Sequence, residues 1–323
     1  MPVDEANPQT VTPEVAAGAG GVLLLGSSAP ADLRQRLVAL ARAASGGPPP
    51  LVMVDEEGGS VQRLAAIVGP VPSARAMAAT MSAAAIEALA YRLGRRLAAL
   101  GVTMDLAPVL DLDAGPGPSE SDPDGTRSFG LDERRVAADG IAFARGLERA
   151  GVIPVAKHFP GLGGASGNTD FEPARTPPLA VLWRHGLVPF ERAVAAGLPA
   201  VMVANATIPG LTSKPASLSV RAIAGLLRAR LGFRGLVLTD SLSAVAVSSA
   251  GYSVPDAVVA AIRAGADMVL YNASQGDVAR LTHASMAALV GAVRSKRLAR
   301  DRLVSAAEDV LRAQGAACRD GAR

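Results

Sequence analysis

The chain has 323 residues, half of them hydrophobic and only 19% charged. That is enough apolar material for one large barrel or two smaller domains, and too much for a disordered chain. A net charge of +3 with 3% aromatic residues argues against a nucleic-acid partner, and no apolar run approaches the roughly 18 residues of a membrane span.

Met1-Pro2-Val3 reads as the tail of a first strand whose beginning is absent. Gly21 to Gly26 (GVLLLG) is the next strand. A helix follows over Ala31 to Ala43, with Leu33, Leu37, Leu40 and Ala41 on one face and Gly46-Gly47 as its stop. Leu51 to Asp55 (LVMVD) is a buried strand, and Ser82 to Leu100 a helix with Leu89, Leu93, Leu97 and Leu100 in register. Further strands are predicted over Met104 to Leu112, Val152 to His158, Ala200 to Asn205, Leu236 to Asp240 and Met268 to Asn272, with a final helix near Arg312. Two long loops rich in Gly, Pro, Ser and Asp, Asp113 to Phe129 and Phe159 to Pro178, each follow a strand.

Strands buried on both faces and alternating with helices mean a parallel sheet with helical crossovers. An open doubly wound sheet competes with a closed (β/α)₈ barrel. The open sheet usually carries a glycine-rich phosphate loop after its first strand, and none is present. Polar residues instead recur at the ends of different strands: Asp55, Asp111, Lys157-His158, Asn205 and Asp240. A barrel builds its active site from such positions, so a TIM-like barrel with a truncated first strand is expected.

Asp240 ends an apolar run, where an Asp is as readily a helix cap as a catalytic group. Asp55 precedes Glu56, Glu57 and a Gly-Gly turn, and the two glutamates are expected to face solvent or support a helix start. Lys157-His158 is sharper, pairing one of three lysines with one of three histidines after an apolar strand. A lone histidine is ordinarily a satisfied core residue; the adjacent lysine points to a polar pocket. The single Cys318 excludes an internal disulfide, and His158, His185 and His283 are too dispersed for a metal motif, so neither metal nor cofactor is expected. The N-terminal MPVDEANPQT has no signal-peptide character. As it stands the chain reads as cytoplasmic; a segment ahead of it would make it exported or lipid-anchored.

With these residues in view, the sequence resembles the barrel domain of family 3 glycoside hydrolases, in its β-N-acetylhexosaminidase branch. The matching words are VDEEGGSVQRL (Val54 to Leu64), DLAPVLDL (Asp105 to Leu112), RSFG (Arg127 to Gly130), KHFPGLG (Lys157 to Gly163), PASLS (Pro215 to Ser219), LGFRGLVLTDSL (Leu231 to Leu242) and GADMVL (Gly265 to Leu270). They run in the family's order along nearly the whole chain, residues 1–323 forming one barrel domain without the second α/β domain of many members. The resemblance implies an exo-acting, retaining hydrolase of terminal β-linked N-acetylglucosamine, with peptidoglycan fragments as a source of that unit, and a monomer is expected. It implies Asp240 as the nucleophile and Asp55, Arg63, Arg127, Lys157 and His158 as ligands of the sugar hydroxyls, with Asn168 and Asn205 also on the substrate side.

The family's acid/base loop normally carries Asp-Ser-His, and here Asn168, Thr169 and Asp170 stand there. Leu162 replaces a histidine, Asn205 another, and Ser241 an aspartate. Two readings follow. In one, Asp170 is the acid/base, a carboxylic acid being the usual glycosidase proton donor once burial raises its pKa. In the other, the chain is a weak or non-catalytic glycan binder, with a different reaction in the same pocket, such as phosphorolysis, as a lesser alternative.

Overall fold

The computed structural model describes residues 1–4, 7–26, 28–44 and 46–320. Its apolar runs form eight strands: β1 (Pro2–Asp4), β2 (Gly21–Leu25), β3 (Leu51–Val54), β4 (Met104–Asp105), β5 (Ile153–Phe159), β6 (Ala200–Val203), β7 (Leu236–Ser241) and β8 (Met268–Leu270). They lie side by side in chain order, each parallel to its neighbour, in a nearly closed barrel. The eighth strand comes from the N-terminal segment, where Val3 pairs with Leu24.

The two-residue period of a strand divides each run between two cores. Leu51 and Met53 point into the barrel with Leu23, Met104, Val155 and Met202. Val52 and Val54 face outward to the helices. Four helices matter for the site: α1 (Leu33–Arg42), α2 (Ala83–Leu100), α3 (Glu133–Arg149) and α4 (Arg300–Asp320). The last stoppers the N-terminal end of the barrel. Val310, Ala313 and Ala317 pack on the interior cluster, and Gln314 donates to the Gly20 carbonyl at 3.2 Å. Ligand access is thereby left to the C-terminal ends of the strands, the functional face of this architecture. No helix among the described residues is long and apolar enough to cross a membrane. The side chain of Cys318 lies outside the described residues.

Two predicted elements differ. The strand expected over Met104 to Leu112 keeps regular pairing only at Met104–Asp105, because Pro108 has no N–H to continue a ladder. The chain still follows β5 irregularly, with the Ala107 carbonyl accepting from Val155 N at 2.9 Å and the Pro108 carbonyl from Lys157 N at 3.1 Å. In α2 the Ser82 hydroxyl caps the N-terminus, and the buried stripe is Ile86, Ala90, Leu93, Gly94 and Leu97, with Leu89 and Leu100 at its edges.

Helices α2 and α3 touch backbone to backbone at a glycine. A methyl on Gly146 would sit 2.4 Å from the Glu87 carbonyl oxygen and 2.7 Å from Tyr91 N. Alanine would gain about 1 kcal/mol in helix propensity, but the obstruction is main chain that cannot rotate aside, and overpacking of this kind costs about 1–3 kcal/mol. Gly146→Ala should therefore lower the midpoint of urea unfolding; an unchanged or raised midpoint would show that the two helices separate freely.

Candidate active site

The strand ends assemble around one ammonium group. Lys157, on β5, is buried, and its Nζ lies 2.7 Å from Asp55 Oδ1 and 2.6 Å from Glu57 Oε1. Glu57 in turn holds Arg127 in a bidentate pair, with Nε and Nη2 each 2.8 Å from a carboxylate oxygen. The backbone that aims Glu57 inward is a small hairpin, Glu56–Gly58 paired antiparallel with Val61–Gln62. Its turn requires glycine: Gly58 and Gly59 have φ of +97° and +62°, and a methyl on Gly58 would meet the Pro72 carbonyl oxygen at 2.3 Å. Glu56 is buried too, accepting from Leu64 N at 2.9 Å while its own amide donates to Asp105 Oδ1 at 2.9 Å. Both glutamates thus depart from the solvent-facing or helix-supporting role expected of them.

Burial alone would raise the Glu57 pKa, but Arg127 and Lys157 overcome it and hold the carboxyl well below the usual range. Burial likewise opposes the Lys157 charge, and Asp55 and Glu57 reverse the balance, raising its pKa. Asp55, Glu57, Lys157 and Arg127 form one ionised unit.

A second layer lies behind His158. Its Nδ1 is 2.6 Å from Asp111 Oδ2, and Asp111 also accepts from the backbone amides of His158 (3.0 Å) and Leu162 (2.7 Å). Burial lowers His158 to about 4, with Arg127 adding to the effect. Burial pushes Asp111 up to about 7, and Asp124, hydrogen-bonded to Asp111 and fully buried, well above the usual carboxyl range. His158 is neutral near neutral pH, and a proton is held between the two carboxyls. Ligand-capable atoms of Asp111, Asp124 and His158 lie within 4.8 Å of one another, a spacing that also suits a cation. The short His158–Asp111 bond and the nearby Arg127 charge favour the proton.

Above these layers opens a cavity of about 210 Å³, matched in scale to a single sugar ring. Asp55, Arg63, Lys157, His158 and Asp240 line it, and Arg127, Asn168 and Asp170 complete its wall. Arg63 Nε and Ser241 Oγ, on residues of the cavity lining, are buried and have no hydrogen-bond partner among the described residues. Asp240 accepts from Ser241 N at 2.7 Å, and its pKa is raised by burial and by the neighbouring Asp170 charge. Asp170 stands at the exposed rim; desolvation against the cavity wall raises its pKa, although Arg127 opposes the shift.

The Asp170 loop is tied down on both sides. The Thr169 carbonyl accepts from Ala246 N at 3.0 Å, just beyond β7. Asn168 caps the turn by accepting from Asp170 N at 3.0 Å and donates to the Ser119 carbonyl at 3.1 Å. Its amide therefore ties its own loop to the Asp113 to Phe129 loop. Asn205, expected on the substrate side, does not reach the cavity wall: its Nδ2 donates to the Ser241 carbonyl at 2.7 Å and its Oδ1 accepts from Ser217 Oγ at 2.6 Å. It braces the strand end that carries Asp240. The buried Asp124 was not singled out from sequence, because it sits in an irregular loop without periodicity.

The sequence model of the glycosyl hydrolase family 3 N terminal domain matches residues 8–313. The chain belongs to this glycosyl hydrolase family. Among curated relatives, the beta-hexosaminidase LpqI of Mycobacterium tuberculosis is 41% identical over 258 residues, which span 78% of this chain and 66% of that protein. Among solved structures, a family 3 glycosyl hydrolase of Mycobacterium smegmatis aligns at a TM-score of 0.85 with 38% identity, covering 96% of this chain and 92% of its own. The beta-N-acetylhexosaminidase of Beutenbergia cavernae aligns at 0.86 with 34% identity, covering 97% and 95%.

In this family 3 barrel the ionised unit invites a stability test. Removing one partner of a buried ion pair costs about 3–5 kcal/mol, because the other charges stay buried. Glu57→Gln should destabilise the protein by about that much at pH 7. Since the folded pKa of Glu57 is depressed, its contribution is present above the unfolded value of about 4.3 and declines as pH falls below it. Urea unfolding of both proteins from pH 7 to 3 should show the difference shrinking in acid; a pH-independent difference would contradict the assignment of charge.

Proposed function

We propose that this chain is an exo-acting, retaining β-N-acetylhexosaminidase that releases terminal β-linked N-acetylglucosamine. The observation that carries the reading is that Asp240 and Asp170 line one cavity, sized for one sugar ring, with burial raising both carboxyls and the Asp170 charge raising Asp240 further. Relatives named beta-hexosaminidase and a solved beta-N-acetylhexosaminidase support the same reaction. Peptidoglycan fragments and chitin-type oligosaccharides both offer the required terminal unit.

A charge on Asp170 opposes ionisation of Asp240, and in this reading the two carboxyls share one proton. Asp240 is the better anion, because the Ser241 amide donates to it and the Lys157 charge favours it. Neutral His158 adds no charge at neutral pH, so those two groups carry the preference. No described residue hydrogen-bonds the Asp170 carboxyl, which keeps the proton. Asp240 then attacks the anomeric carbon as the glycosidic C–O bond breaks, and the leaving oxygen takes the Asp170 proton. Asp170, now ionised, accepts a proton from water as that water attacks the anomeric carbon, and Asp240 is released. Asp55, Lys157, His158 and Arg63 bind the hydroxyls throughout, the charged groups giving the stronger hydrogen bonds.

Asp240→Ala should abolish turnover in a protein that remains folded. Asp170→Asn should slow alkyl or sugar leaving groups by about 10²- to 10⁴-fold and activated aryl N-acetylglucosaminides far less, because only the former need protonation to depart. The wild-type rate should fall at high pH as Asp170 deprotonates, with an apparent pKa above the ordinary carboxyl range, and Asp170→Asn should lack that limb on aryl substrates. Equal slowing of both substrate types would make Asp170 a binding residue and favour the weakly catalytic alternative.

A further inference from the structure

Beyond Asp170 the two long loops enclose a second space. An open groove of about 620 Å³ is lined by Ser119, Glu120, Ser121, Phe171 and Glu172. It adjoins the catalytic cavity through two links: Phe171 directly follows Asp170, and the Asn168 amide, on the cavity wall, donates to the Ser119 carbonyl. A leaving group protonated by Asp170 would depart beside this groove.

The groove has a distinct chemistry. Phe171 is 56% exposed and is the sole exposed aromatic among the described residues. An aromatic face held beside a sugar cavity offers a flat platform for the C–H face of a pyranose. Glu120 and Glu172 are exposed, and neither has an ion-pair partner among the described residues; no basic residue lines the groove. Of the cations lining the sugar cavity, Lys157 and Arg127 are held by Asp55 and Glu57, and Arg63, which has no carboxylate partner among the described residues, lines that cavity and not the groove.

We infer that this groove is the leaving-group subsite and that it selects a neutral or cationic sugar next to the terminal N-acetylglucosamine, stacked on Phe171, over one bearing a carboxylate. The inference rests on the hydrolase reading and adds its substrate class. Two uncapped acids repel an anionic ring substituent, such as the 3-O-lactyl carboxylate of a muramic acid unit, while an N-acetylglucosamine or glucosamine unit meets no such penalty. Among the two sources of terminal N-acetylglucosamine, the charge pattern favours chitin-type chains over muramyl ones.

The test uses two disaccharides with the same β1,4-linked terminal N-acetylglucosamine, one ending in N-acetylglucosamine and one in N-acetylmuramic acid. N-acetylglucosaminyl β-fluoride, which has no second ring, reports on the cavity alone. At low salt the neutral disaccharide should have the higher kcat/KM, by roughly 3- to 10-fold for repulsion by exposed like charges. That preference should shrink in Glu120→Gln/Glu172→Gln and at high ionic strength. Phe171→Ala should lower kcat/KM for the neutral disaccharide relative to the fluoride by roughly 5- to 10-fold. Equal rates on the two disaccharides, a preference for the muramyl one, or ratios untouched by these substitutions would overturn the inference. Failure of the wild type on the fluoride would count against the hydrolase reading instead. Calorimetric binding of the two disaccharides to Asp240→Asn would still read the preference, and equal affinities there would end it.

Discussion

Lys157 is an ammonium group removed from water, and it holds its charge only because Asp55 and Glu57 stand 2.7 and 2.6 Å away. Desolvating an ion costs several kcal/mol unless its geometry is fully satisfied. Satisfying it requires the end of β3, the hairpin beyond it and β5 to meet at one point, with Arg127 drawn in through Glu57. An apolar cluster would tie these segments at less cost. What the ions add is a rigid set of charged hydrogen-bonding groups whose positions are set before any ligand arrives, which is what recognition of a polyhydroxylated ring needs.

The remaining groups are tuned by that unit. Arg127 helps to keep His158 neutral, while burial leaves Asp111 and Asp124 holding a proton behind it. Lys157 favours ionised Asp240 from one side, and Asp170 opposes it from the other. Two carboxyls that burial raises have different surroundings: one has an amide donor and a nearby ammonium, the other a solvent-facing rim. A glycosidase of the retaining type depends on such a division of labour between its two acids.

Much of this was legible in the sequence where pattern and chemistry coincide. The strand runs end in polar residues because one end of the barrel is functional and the other is plugged, so Asp55, Lys157, His158 and Asp240 stood out and do share a cavity. Arg63 and Arg127 came with their motif words. Less was legible where direction decides. Three consecutive acids, Asp55, Glu56 and Glu57, look alike until the Gly58-Gly59 turn folds the hairpin, after which Glu57 reaches the ammonium and Glu56 turns to Leu64 N. The signal was the diglycine itself, which marks a backbone about to reverse. Asn205 sat at a strand end like the others, yet its amide turns sideways to brace Ser241. The shortening of β4 follows from Pro108, whose missing N–H the apolar run Met104 to Leu112 conceals. Asp124 carried no signal, since loop burial depends on contacts remote in sequence.

The residue to which the sugar becomes attached decides between these roles for Asp240 and Asp170. A crystal structure of the protein treated with a 5-fluoro analogue of N-acetylglucosaminyl fluoride, which slows release of the intermediate, would show this directly. The expected result is a covalent bond from Asp240 to the anomeric carbon, with the ring hydroxyls held by Asp55, Arg63, Lys157 and His158 and the ion pairs of Lys157 retained. A sugar bonded to another carboxylate, or seated in the cavity without touching Lys157 and Asp55, would contradict it.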